Sequence, residues 1–155
     1  MAMTILLIVH GLLAVALLGA ITHQAVAVWW PARAPAGTFV TKFRAVPSTT
    51  YINAIVVLYL LTVILGAVIY TNYTITARIA IIQLQLWKPY GLFEMKEHFA
   101  AISLGVLPAY WYFWRVSDAP GGVRARAVLT ALLCFVVWWN FLIGHIINNL
   151  RGFGS

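Results

Sequence analysis

The chain has 155 residues and a mass of 17.2 kDa; it is 63% hydrophobic and 8% charged, with a mean hydropathy of +0.93. A soluble surface needs roughly a quarter of its residues charged, and ten Lys+Arg with three Asp+Glu cannot supply that, so soluble enzymes, nucleic-acid-binding domains and secreted disulfide scaffolds are excluded. The net charge of +7 is scattered through connecting segments without stripe or motif, the distribution expected of residues that meet lipid headgroups and set topology.

A hydrocarbon core of about 30 Å needs roughly 20 apolar residues of helix. Four stretches meet this, over residues 4–30, 51–73, 93–114 and 127–150. The expected fold is therefore an all-α integral membrane four-helix bundle forming one domain over 1–155. The first stretch is too long for a signal-peptide core and has no Lys or Arg ahead of it, so it is read as a retained helix despite the small-x-small form of Ala25-Val26-Ala27.

After it comes a loop rich in breakers, from Pro31 through Arg33, Pro35, Gly37, Arg44 and Pro47 to Ser48, long enough for local order but not for a second domain. Residues 74–90 differ: Ile75, Ile79, Ile82 and Leu86 recur at helical spacing opposite Arg78, Gln83 and Gln85 before Pro89. This segment is read as a short interfacial amphipathic helix between helices 2 and 3, with an extension of the second span as the alternative. Glu94, Lys96 and Glu97 then stand at the start of the third span, at headgroup level, where acidic residues complement the helix dipole. Ser117-Asp118-Ala-Pro120-Gly121-Gly122 is a tight turn, since proline ends a helix and the glycines permit positive φ.

One side of the membrane receives Arg33, Lys42, Arg44, Arg115, Arg124 and Arg126, and the other Arg78, Lys88, Lys96 and Arg151. Six against four favours both termini outside the cytoplasm, periplasmic in a bacterial inner membrane.

All four histidines fall within the spans, where an ionisable side chain is costly and usually faces an interior, a cavity or a cofactor. Threading the chain up and down puts His10, His98 and His145 at one depth, with His23 about 19.5 Å further along the first helix and near the other side. Two imidazoles from facing helices are what a b-type haem requires. Two of His10, His98 and His145 are thus candidate iron ligands, and the third is left for a propionate, a quinone oxygen or a carbonyl. Ala101 and Gly105 lie on the His98 face, and Ala131 and Cys134 on the His145 face; such faces admit a macrocycle or another helix. Trp138 and Trp139 would stand near the macrocycle or a quinone, and Arg151 at the headgroups suits a propionate, a quinone or lipid phosphate.

A second haem has little support: thirteen residues turn a helix by about 220°, so His10 and His23 point to nearly opposite faces. His23, with Gln24 beside it, is open to a neighbouring subunit, a lipid or pigment, or a packing role. Glu94 lies one turn before His98 and would join His10, His98 and His145 if the site held non-haem iron, copper or zinc. Cys134 stands alone, so there is no disulfide, thiolate cage or CxxCH haem attachment.

The use of histidines from several helices resembles small four-helix membrane b-type cytochromes and the haem-carrying anchor subunits of respiratory complexes. His145-Ile-Ile-Asn148-Asn149-Leu150-Arg151 is similar to the H-x-x-N-G-I-R-H stretch of succinate dehydrogenase anchors at His145, Asn148 and Arg151, with Gly152 where that family has its ligating histidine. The resemblance implies one haem b passing electrons between a partner subunit and quinone, in a non-catalytic subunit of an oxidoreductase complex. Two other readings stay open. In one the chain is a cofactor-free or pigment-contacting accessory subunit of a larger respiratory or photosynthetic assembly; in the other it carries the His/Glu metal site.

Overall fold

The computed structural model describes residues 1–31, 37–116 and 121–152, with side chains through Asn149. The described residues are helical or irregular, with no strand among them. They form α1 (Ala2–Trp29), α2 (Phe39–Arg44), a 3-10 turn (Ser48–Tyr51), α3 (Ile52–Ile75), α4 (Ala77–Gln83), α5 (Trp87–Arg115) and α6 (Gly122–Gly152).

Three helical segments, Ala2–Trp29, Ser48–Ile75 and Gly122–Asn149, are long and apolar enough to cross a membrane. Among them α1 and α3 are apolar all round, with Ile5, Ile8, Leu12, Val57, Leu60 and Ile64 exposed, the pattern of helices whose surroundings are themselves apolar. The expected third span differs. Helix α5 has 29 residues, ample length at 1.5 Å each, but Lys88, Glu94, Lys96 and Glu97 in its first half leave it short of the apolarity of the other three.

Its start also corrects the sequence reading. Pro89 does not end a helix over 74–90; it lies in the first turn of α5, where a missing N–H costs nothing. The segment read as one amphipathic helix is instead the end of α3, the seven-residue α4 and the start of α5. Gln85 makes the corner between α4 and α5 with φ +54, and the Leu86 and Trp87 amides donate to the Ile81 and Gln85 carbonyls. Helix α4 packs inward through Ala77 and Ile81 and leaves Ile79 and Ile82 exposed, as are Ile75 at the end of α3 and Leu86 just before α5.

Neighbouring long helices run antiparallel in a closed cycle: α1 packs on α3 and α6, while α5 packs on α6 and α3. Helices α1 and α5 stand on the diagonal. One core gathers Leu17, Ile21, Ile55, Tyr59, Tyr110 and Leu133 toward the end that carries α2, and another gathers Tyr73, Ala77, Ile81, Phe93, Ile143 and Ile147 toward the end that carries α4. The breaker-rich loop acquires order from Thr38, which caps α2 reciprocally with Thr41. Arg33 and Pro35 of that loop, and Ser117, Asp118 and Pro120 of the expected turn, lie outside the described residues; Gly121, which is described, has φ +71.

Candidate functional site

The structure gives each predicted histidine different company. His10 turns from α1 toward α3 and packs on Gly66, where a Cβ would come within 3.4 Å of its Cε1. Its polar neighbours are the Thr62 backbone, Lys96 and Glu97, and its Nδ1 is buried without a hydrogen-bond partner.

His98 lies on the exposed side of α5. Its Nδ1 is 2.7 Å from the Glu94 carbonyl; the carbonyl can only accept, so Nδ1 carries the proton and a neutral ring keeps its lone pair on Nε2. Ala101 and Gly105 follow on the same exposed face, with nothing within 4 Å of the Gly105 Cβ position.

His145 is exposed on α6, stacks on Phe141 and has Nε2 3.2 Å from the Asn149 amide nitrogen, which donates to it. Proximity in depth therefore does not become a shared face. Glu94 does not join them either: Arg78 of α4 lies 3.6 Å from its carboxylate. The Arg78 guanidinium also donates to the Tyr90 hydroxyl at 2.7 Å, which favours its charged form and raises its pKa. No group of three or more metal-ligating side chains occurs among the described residues.

His23 is a fastener. Its Nε2–H donates to the Phe43 carbonyl at 2.8 Å, its ring meets Phe43 edge-on and Tyr51 at a tilt, and it is buried. Next to it, fully buried Gln24 donates to the Ser48 carbonyl and accepts from Tyr110. Trp138 donates to the Thr22 hydroxyl at 2.9 Å, tying α6 to α1, while Trp139 packs with Phe99 and Phe135. The Arg151 side chain lies outside the described ones.

The sequence reading missed a polar layer where the two cores meet. Lys96 does not lie at a helix end: its side chain is 18% exposed, its Nζ is 2.8 Å from Glu97 Oε1 and 4.9 Å above the Phe93 ring, and its Cε lies 3.7 Å from where a Gly144 Cβ would be. The layer is thus His10, Gly66, Lys96 and Gly144, one residue from each long helix, all about 12 to 14 Å from the helix ends. Two glycines leave room for two long polar side chains. The available signal was the run Glu94 to His98: consecutive helical residues are turned by about 100°, so Lys96, Glu97 and His98 cannot all face the same way.

Comparisons with family models, with curated proteins and with solved structures found no match.

Proposed function

We propose that the protein is a membrane-embedded electron-transfer subunit in which His98 would supply an imidazole ligand to the iron of a b-type haem shared between the outer face of α5 and a neighbouring chain. The observation that carries this is the His98–Glu94 hydrogen bond. Metal-ligating histidines almost always donate their other ring N–H to a carbonyl or carboxylate, which fixes tautomer and orientation, and His98 is already held in that state. Ala101 and Gly105, along the same exposed face, present no bulk to a flat macrocycle.

A bound haem would supply one-electron transfer between a partner subunit and quinone. The chain's own residues would hold it: the Glu94 carbonyl fixes the imidazole, which leaves Nε2 for the iron. His10 faces α3 and His145 accepts from Asn149, so the second ligand is assigned to the partner.

All four long helices cross the membrane in this reading, as a four-helix bundle. Helix α5 does so by turning Lys96 onto Gly144 and pairing Glu94 with Arg78. Taking Lys96 off the surface leaves Arg78, Lys88 and Arg151 against Arg33, Lys42, Arg44, Arg115, Arg124 and Arg126, which favours termini on the periplasmic side of a bacterial inner membrane.

The test is the reduced-minus-oxidised visible spectrum of the protein isolated with its co-purifying subunits. A b-type α-band that is lost in His98→Ala and retained in His10→Ala and His145→Ala is expected; a featureless spectrum from intact complex refutes the reading. A cofactor-free accessory subunit is the second reading. It is favoured by the bonds of His23, Gln24, Trp114 and Trp138, which spend polar side chains on helix packing.

A further inference from the structure

We infer that the outer face of α1 and the short α2 form a binding site for a phospholipid with an anionic headgroup, one acyl chain lying along α1 and the phosphate on Arg44. The site rests on the membrane placement given above and is independent of any haem.

A groove of about 380 Å³ runs along α1. Val15, Gly19, Val26 and Trp30 line it at steps of four, seven and four residues, which is one face of a helix. At 1.5 Å per residue that face is about 22.5 Å long and reaches from the middle of α1 to its end. Trp138 of α6 lines the groove too, its Nε1–H donating to the Thr22 hydroxyl at 2.9 Å. At Gly19 nothing lies within 4 Å of the Cβ position, so no described side chain fills the groove there. In a bilayer such a space is taken by hydrocarbon.

The mouth of the groove is charged. Helix α2 is fastened to α1 by two bonds: the His23 ring donates to the Phe43 carbonyl at 2.8 Å, and the Arg44 guanidinium donates to the Trp30 carbonyl at 2.9 Å. The second bond uses one of five guanidinium N–H donors and holds the others at the groove's end. Lys42 shares the last turn of α2. The carboxylates among the described residues, Glu94 and Glu97, are engaged with Arg78 and Lys96, so the anion for Arg44 must come from outside them. A phosphate supplies it in the bidentate geometry that guanidinium favours. Trp29 and Trp30, both exposed, stand where headgroup meets chain. Basic sites at the ends of spanning helices hold anionic headgroups in this way. A zwitterionic headgroup brings an ammonium that opposes Arg44, and an apolar helix from a neighbour brings no anion at all.

The test is native mass spectrometry of the full chain in detergent with equal amounts of phosphatidylglycerol and phosphatidylcholine added, after flotation with phosphatidylcholine vesicles has established insertion. Phosphatidylglycerol should be retained over phosphatidylcholine by about fivefold or more. Arg44→Gln should remove most of that preference and Arg44→Lys should keep it. Arg124→Gln, which removes an exposed charge outside the groove, should also keep it. Gly19→Leu should weaken both lipids by filling the groove. An inserted chain with no preference overturns the inference, and so does a preference reduced equally by Arg124→Gln and Arg44→Gln, which is the mark of general surface charge. A complex of two chains that Gly19→Leu dissolves, with lipid binding unchanged, gives the groove to a protein helix and overturns it as well. A chain that does not insert overturns the membrane placement and the site with it, whereas the visible spectrum decides the haem separately.

Discussion

The Tyr110 hydroxyl donates to Gln24 Oε1 at 2.6 Å, joining α5 to α1 across the diagonal of the helix assembly, and both side chains are fully buried. Gln24 in turn donates to the Ser48 carbonyl at 3.0 Å, so one amide fixes the start of the second apolar segment as well. In an apolar interior an orphaned polar group costs more than the bond that satisfied it contributed.

Tyr110→Phe should therefore destabilise the protein by about 1 to 3 kcal/mol, because it leaves the Gln24 oxygen unpaired. Gln24→Leu should cost about as much by leaving Tyr110 and the Ser48 carbonyl unpaired. The double variant should cost clearly less than the sum, which a double-mutant cycle of denaturant unfolding in detergent would measure. Strict additivity would mean that the two side chains act separately.

Space at Gly66 is expected to be critical for the orientation of His10. A Cβ there already reaches 3.4 Å from the imidazole, so Gly66→Ala should be tolerated with a small loss, whereas Gly66→Leu should displace the ring and cost about 1 to 3 kcal/mol by overpacking. Gly144→Ala, whose Cβ would meet Lys96 Cε at 3.7 Å, should be nearly neutral. Thermal unfolding of the three variants in one detergent checks the order.

At the α4–α5 corner the expected change is a gain. Gln85 holds φ +54, a conformation costing a residue with a Cβ about 1 kcal/mol or more, and its side chain is exposed. Gln85→Gly removes that strain against a chain-entropy loss of about 0.5 to 1 kcal/mol. The net is expected to be a stabilisation of up to about 1 kcal/mol in equilibrium unfolding; a loss would show that the Gln85 side chain contributes something its exposure does not suggest.

The apolar runs made the long helices legible, because length and hydropathy are properties of the sequence alone. Their depth relationships were legible in part: the expected common depth of His10, His98 and His145 is met more closely by two of them, since His10 and His145 lie about 12 and 10.5 Å from their helix ends and His98 about 16.5 Å. Which way each side chain turns was not. His10 faces α3 because Gly66 leaves room, and Lys96 faces α6 because Gly144 does, and a glycine in another helix gives no sign of its partner. Pro89 misled in a definite way. Read as a terminator, it moved the start of α5 from Trp87 to Phe93 and so put Lys96 and Glu97 at headgroup level instead of within the helix. The role of His23 was hidden because its acceptor, the Phe43 carbonyl, belongs to the short α2 of the connecting loop.

The central proposal is that His98, with its ring fixed by the Glu94 carbonyl, would be a ligand to haem iron. The most direct measurement is the reduced-minus-oxidised spectrum of the native complex beside that of its His98→Ala variant, with haem content determined for both. The account predicts a b-type α-band in the first and its loss, with loss of haem, in the second. An unchanged band and full haem content in a folded His98→Ala complex would contradict it.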